Sequence, residues 1–209
     1  SLNKDQFLDY HKNFYVASST AVIIAGNINH EEIVSQIKEL FLKINTFPRK
    51  EKVLTNLISE GSNIVYKEKN VDQTHLALAV KAHNISHEDR YVYEIIGEIL
   101  GGGMGSRLWE KLRNELGVAY YLGAGPSLYI DHGIFQIYAG VHTPRFFEIL
   151  SILKNEIKRL CEENVLVDEL ERVKKRIAGS TVLNLETSQS FAMFYGTQEI
   201  LRHSLLTHE

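Results

Sequence analysis

The sequence predicts an α+β fold, on three observations. Two strand-like runs, 119–129 and 133–141, are separated by Asp131-His132-Gly133 and read as an antiparallel hairpin. Residues 73–82 alternate, with Thr74, Leu76, Leu78 and Val80 on one side and His75, Ala77, Ala79 and Lys81 on the other. After residue 145 only helical periodicity remains. Strands in antiparallel runs and helices in blocks belong to α+β, not to an alternating α/β chain.

From the start of the chain, Asn3 followed by Gln6 forms a capping-box pattern, and Phe7, Tyr10 and Phe14 repeat at helical spacing. Thr20 to Ala25 is a continuous apolar run that predicts a buried strand, ended by Gly26 and Asn27. Asn29 with Glu32 caps a second helix whose apolar face is Ile33, Ile37, Leu40, Phe41 and Ile44. Residues 1–45 are therefore expected to be an α–β–α unit with too little apolar surface around its single strand to stand alone.

Residues 46–61, with Pro48, a Lys/Arg/Glu cluster and Gly61, are the expected linker. A second region, 62–209, opens with strand-like Asn63 to Lys67 before the alternating run. Ser86 with Asp89 is expected to cap a helix lined by Val92, Ile95, Ile96, Ile99 and Leu100. Gly101, Gly102 and Gly103 then let one helix turn sharply into the next, which runs from about Ser106 to Leu116 with Leu108, Leu112 and Leu116 on one side. Gly117 is its natural stop. In the second hairpin strand Phe135, Ile137, Ala139 and Val141 share a face. Phe146, Ile149, Leu150, Leu153, Ile157 and Leu160 mark one long helix, Asp168 with Glu171 caps the next, and Phe191, Phe194 and Tyr195 mark the last.

Composition narrows the function. A net charge of −3 gives no electrostatic footprint for nucleic acid. Arg172, Lys174, Lys175 and Arg176 lie beside Glu169 and Glu171 in a helical pattern and read as a solvated face. No apolar run approaches the roughly 18 residues of a membrane span. The single cysteine, Cys161, can form no internal disulfide and no cysteine metal cluster, which fits a reducing, cytoplasmic location. On the apolar side of its helix it is expected to be buried and inert. Both ends read as cuts in a longer chain, so a targeting segment could precede residue 1.

Metal chemistry finds little support. Nine histidines offer no H-x-x-x-H and no inverted H-x-x-E-H on a helix face. His30-Glu31-Glu32 and His87-Glu88-Asp89 read as helix starts, where acidic residues favour the positive end of the dipole. His83 and His87 are four apart, but Asn84-Ile-Ser86 between them reads as a turn. No metal ligands and no cofactor are therefore assigned to this chain. No serine occupies a G-x-S-x-G elbow, and Leu100 to Arg107, though glycine-rich, lacks the Gly-Lys-Ser/Thr ending of a phosphate loop.

The informative segment is Arg107 to Tyr120. Arg113 lies near the end of a short helix and Tyr120 opens the strand beyond its glycine stop. Helix stop and strand entry could bring a guanidinium and a phenol together to bind a carbonyl or an oxyanion. The bland alternative pairs Arg113 with Glu110 or Glu115 and lets Tyr120 merely pack.

Residues 100–120, Leu-Gly-Gly-Gly-Met-Gly-Ser-Arg-Leu-Trp-Glu-Lys-Leu-Arg-Asn-Glu-Leu-Gly-Val-Ala-Tyr, resemble the signature of M16 (pitrilysin) peptidases and mitochondrial processing peptidase subunits, roughly LGGGMSSRLFxxxREKxGLAY. Phe14-Tyr-Val16 with Ala21 to Gly26, Asp72 to His75, and Asp168 to Arg172 resemble three further stretches of that family, in its order. Gly105 stands for the usual Ser and Val118 for the usual Leu. The resemblance implies a LuxS/MPP-like metallohydrolase fold and a half-molecule of two domains, two halves closing on a peptide. It places residues 1–45 at the end of a preceding domain, with the H-x-x-E-H zinc site upstream, so zinc is expected in the parent protein and not here. It implies that Arg113 and Tyr120 bind substrate and assist catalysis in trans. The implied partners are a peptide and the other M16 half or a homodimer partner. Some relatives lack a working zinc site and act as scaffold or binding subunits, which stands as the alternative.

Overall fold

A computed structural model describes residues 2–56, 64–68 and 73–202. In chain order its principal elements are α1 Lys4–Phe14, α2 His30–Leu40, β1 Thr74–Ala82, α3 Arg90–Gly101, α4 Arg107–Trp109 running into a π-helical turn Glu110–Glu115, β2 Ala119–Leu128, β3 Gly133–Val141, α5 Phe146–Glu162, α6 Val167–Asn184 and α7 Ser188–Arg202. They fall into two compact units. One holds the described residues up to Leu54 and those from Val182 on; the other holds those between Thr55 and Thr181.

The second unit is built on an antiparallel sheet of order β1-β3-β2. The hairpin forms as expected, with Ala119 opposite Val141 at one end and Leu128 opposite Gly133 at the other. Strand β1 pairs with β3 from Thr74↔Val141 to Ala82↔Gly133. Phe135, Ile137, Ala139 and Val141 are all buried, as their alternation requires, and they meet Leu100, Leu108, Leu112, Ile149 and Leu153 from the helices. Each fully buried leucine or isoleucine contributes about 1.5–3 kcal/mol relative to exposure.

Helix α3 lies close on β2 because its contact face carries glycine. A Cβ on Gly101 would stand 2.5 Å from the Ala124 nitrogen, and one on Gly97 would stand 2.8 Å from Gly125 Cα. The turn that follows is made by Gly103, at φ 144°, a value L side chains rarely adopt. Helix α6 is fastened to α4 by a bidentate Arg107–Glu169 pair at 2.9 and 2.6 Å. That hydrogen bond holds the Glu169 carboxyl below the usual carboxylate range, with burial opposing it. At the hairpin turn, the Thr55 N–H donates to Asp131 Oδ2 at 2.7 Å and His132 Nδ1 lies 2.8 Å from Oδ1. These contacts push the Asp131 carboxyl well below its ordinary value.

In the first unit, α1 carries the complete Asn3–Gln6 capping box, and α2 is capped by Asn29, which accepts from the N–H groups of Glu31 and Glu32. Neither helix buries a residue fully, so their apolar faces are left largely open. Helix α7 meets residues 20–25 through Gly196, where an added Cβ would stand 2.9 Å from Ile23.

Several expectations need correction. Residues 20–25 form no ladder, and Val22, Ile23 and Ile24 are exposed. An apolar run becomes a strand only when a neighbour takes its backbone N–H and C=O groups. Of the expected strand 63–67, Asn63 lies outside the described residues; residues 64–67 are exposed and form no strand with other described residues. Ser86 does not cap α3, whose N-cap is Asp89 without a side-chain bond; Ser86 donates its N–H to Asn84 instead. Asp168 lies inside the first turn of α6 and not before it. Cys161 is exposed, one residue past Leu160 at the end of the buried stripe of α5. Of the linker, 46–56 carry no helix or strand and 57–61 lie outside the described residues.

Candidate functional site

Two backbone irregularities position Arg113 and Tyr120. The first is the π-helical turn after α4. Leu108 and Leu112 anchor it in the core. The Leu116 N–H then reaches back five residues to the Lys111 carbonyl, and the Val118 N–H six residues to that of Leu112. Wider turns of this kind recur at functional sites because they re-aim side chains. Gly117, at φ 63°, ends the segment in the left-handed region.

The second is a β-bulge at the start of β2. Ala119 pairs with Val141 and Tyr121 with Gly140, so Tyr120 is the extra residue. Regular alternation would send Tyr121 inward and Leu122 outward. The bulge leaves Tyr120 and Tyr121 both exposed and returns Leu122 to the core. Tyr120 keeps 57% of its surface exposed.

The two residues open onto one shallow depression of about 310 Å³, lined also by Leu116, Gly117, Val118, Ala119, His142 and Arg145. Arg113 donates from Nη1 to the Ala119 carbonyl at 2.8 Å, next to Tyr120. The carboxylates expected to neutralise it are engaged elsewhere. Glu110 accepts from Asn114 at 2.7 Å and Glu115 pairs with Lys111 at 2.6 Å. No described carboxylate lies within salt-bridge distance of Arg113. The bland reading of an Arg113 ion pair therefore fails among the described residues. Arg145, by contrast, forks onto Glu148 at 2.7 and 2.6 Å.

The arrangement presents a fixed guanidinium fork and an outward phenol on one rim. Such donors suit a carbonyl oxygen, a carboxylate or a developing oxyanion. Two neighbours escaped the sequence reading. His142 follows β3, with its N–H on the Val118 carbonyl, and Arg145 reaches the Leu116 carbonyl at 3.4 Å. Their place beside Arg113 depends on strand pairing across a separation of nearly thirty residues, which no local pattern encodes.

Of the glycines singled out in sequence, Gly101 provides close helix–sheet approach and Gly103 the turn, and neither lines this depression. Among described residues, one histidine group converges: His83, His87 and Asp89, whose ligand-capable atoms lie within 4.8 Å of one another. It sits on a turn and not on a helix face, so it does not fit the H-x-x-E-H zinc centre implied by the family resemblance. No described helix is long and apolar enough to cross a membrane.

Comparison with known proteins gives a consistent result. A protein from Rickettsia bellii named as an uncharacterized zinc protease is 34% identical over 201 residues, covering 96% of this chain and 47% of its own length. A Bacillus subtilis protein, named as the uncharacterized zinc protease YmxG, is 28% identical over 203 residues, covering 96% of this chain and 48% of its own length. The chain thus spans about half the length of the curated relatives it matches. Among solved structures, a peptidase M16 inactive domain from Pseudomonas fluorescens superposes with a TM-score of 0.85 at 20% identity, over 98% of this chain and 49% of that one. A protease from Helicobacter pylori gives 0.78 at 18% identity, over 96% and 50%. The mixed fold of helices and a three-stranded antiparallel sheet is shared with these structures. The family model described as the peptidase M16 inactive domain matches residues 1–177, and on that match the protein belongs to the peptidase M16 inactive-domain family.

Proposed function

We propose that this chain is the substrate-holding, non-metal portion of an M16-type zinc peptidase whose two halves close on a peptide. The observation that carries this is the shared rim: Arg113, free of any described carboxylate, and Tyr120, turned outward by a bulge, open onto one depression. When water attacks a peptide carbonyl, negative charge builds on its oxygen. Donors fixed where that oxygen will stand lower the barrier. Arg113 and Tyr120 would supply such donors from the half opposite the zinc. Zinc belongs to the parent protein on this reading, since this sequence has no H-x-x-E-H.

The reading also assigns residues 1–45 to the end of a preceding domain, 46–61 to a linker and 62–209 to the second domain. Two observations support the first break: a boundary between the compact units falls at Leu54–Thr55, and the run 20–25 is left without a strand partner. The described residues from Val182 on group with the first unit, which the assignment of 62–209 to one domain does not predict. The proposed compartment is the cytoplasm, on the strength of the single cysteine.

The test is turnover in the assembled parent protein. Arg113→Ala or Tyr120→Phe should each lower it by about 10²–10³ with an unchanged melting temperature. The double variant should lose less than the product of the two if both donors serve one oxygen. Wild-type turnover in Arg113→Ala would sink the catalytic role. A parent with no peptidase activity on any peptide would favour the scaffold alternative.

A further inference from the structure

We propose that His83, His87 and Asp89 form a structural site for a borderline divalent cation of the zinc class, at the end of the sheet opposite Arg113 and Tyr120. The placement follows from register. His83 directly follows Ala82, which pairs with Gly133 at the hairpin turn, whereas Ala119 and Val141 mark the other end of the same strands. A nine-residue strand at about 3.3 Å per residue separates the two ends by roughly 25–30 Å.

Three observations argue for a site. The donor set is two imidazoles and a carboxylate, the mixture borderline cations prefer over magnesium or calcium. The donors converge: ligand-capable atoms of all three residues lie within 4.8 Å of one another, and His87 Nδ1 is 3.6 Å from Asp89 Oδ2. Ligands about 2.0–2.2 Å from one tetrahedral ion stand roughly 3.3–3.6 Å apart, so the His87–Asp89 pair already has the required spacing. The His83 ring, stacked on His87 at 3.7 Å and 7°, needs only a side-chain rotation to bring one nitrogen to the same point.

The turn that carries these ligands is itself well fixed. Ile85 is buried and donates its N–H to the Tyr129 carbonyl at 2.9 Å. Asn84 accepts from the Ser86 N–H at 3.1 Å, and the His87 N–H reaches the Asn84 carbonyl at 3.2 Å. Arg90 Nη1 holds the His87 carbonyl at 3.3 Å. The other histidine of this end, His132, is engaged with Asp131 and is not among the converging ligands. On binding, His87 Nδ1 would exchange the 3.2 Å bond it accepts from the Asp89 N–H for the ion. With three exposed or half-buried protein ligands, the remaining positions are open to water. The ion would clamp the end of β1 to the start of α3. No general base stands in the set, so the site is a fastener and not a catalytic centre.

The test is Co²⁺ titration of this chain, followed by visible absorption, with Zn²⁺ as competitor and melting temperature as a second readout. The wild type should bind one Co²⁺ with a ligand-field band that Zn²⁺ removes, and Zn²⁺ should raise its melting temperature. His83→Gln, His87→Gln and Asp89→Asn should each weaken Co²⁺ by more than about tenfold, since even outer-shell losses cost about 10–100-fold. Arg113→Ala should bind as the wild type does, which separates this site from the proposed substrate rim. Metal-free circular dichroism of each variant reports folding, and the two mildest replacements, His83→Gln and Asp89→Asn, suffice if His87→Gln is unstable. Equal Co²⁺ affinity and spectrum in the wild type and in the triple variant would overturn the proposal. So would the absence of a band in the wild type.

Discussion

Arg107 and Glu169 are a pair whose single side chains bear directly on stability. Both are largely buried and doubly hydrogen-bonded across 62 residues of chain. Glu169→Gln breaks a charge-assisted pair and should cost about 1.5–3 kcal/mol in denaturant unfolding. The pH dependence has a definite sign. The folded-state carboxyl is held below its ordinary 4.5, so its contribution is complete above that value and lost as pH falls through the lower folded value. Melting temperature plotted against pH should therefore fall on the acid side of about 4.5 in the wild type, and less steeply in Glu169→Gln. An identical acid limb in the two proteins would show that other carboxylates carry it. Gly101→Ala is a second residue-scale test. Its Cβ would meet the Ala124 backbone at 2.5 Å, so overpacking should cost about 1–3 kcal/mol. The pairing of Glu169 with Arg107 is not legible in the sequence, where Glu169 reads as one more charge on a solvated helix face. The solvated reading does hold for its neighbours Arg172, Lys174 and Lys175, which are exposed.

At the scale of elements, the link from the π-helical turn through Gly117 to the bulge sets the site. Gly117→Ala forces an L side chain to φ 63°, which should cost about 1–2 kcal/mol. It should also disturb the aim of Arg113 and Tyr120. The expected outcome in the assembled parent is lower turnover together with a lower melting temperature, unlike Arg113→Ala, which should lower turnover alone. A Gly117→Ala protein with wild-type stability would contradict the strain argument. The helix stop at Gly117 is legible because only glycine takes that conformation cheaply. The bulge is not. Tyr120-Tyr121 looks in sequence like ordinary strand alternation, and only pairing with Val141 and Gly140 reveals the extra residue.

At the scale of the whole molecule, the proposed organisation predicts where the chain opens first. Limited proteolysis should cut within 46–61, where the described part carries no regular structure and the boundary between units falls. A first cut inside 88–120, where α3 and α4 feed the core, would argue against the boundary. The apolar residues 22–24 are exposed, and proteins keep large apolar patches only where something covers them. The proposed preceding domain would provide that cover and the missing strand partners.

Elements whose signal is local can be read from the chain alone. The capping box of α1, the Asn29 cap of α2, the alternation of β3, the apolar stripe of α5 and the stop at Gly117 each depend on residues within a few positions of one another. The family can be read there too, because four motifs in order are a linear property of the chain. Features that depend on partners far along the chain emerge with folding. The run 20–25 has strand composition but no ladder, because pairing and not composition makes a strand. In sequence, His87-Glu88-Asp89 reads as a helix start and a turn separates His83 from His87, yet that turn brings the ligand atoms of His83, His87 and Asp89 within 4.8 Å of one another. Arg113 was open in sequence between a neutralised surface charge and an available donor. Its neighbours' other partnerships, Glu110 with Asn114 and Glu115 with Lys111, leave the ion-pair alternative without a partner among the described residues.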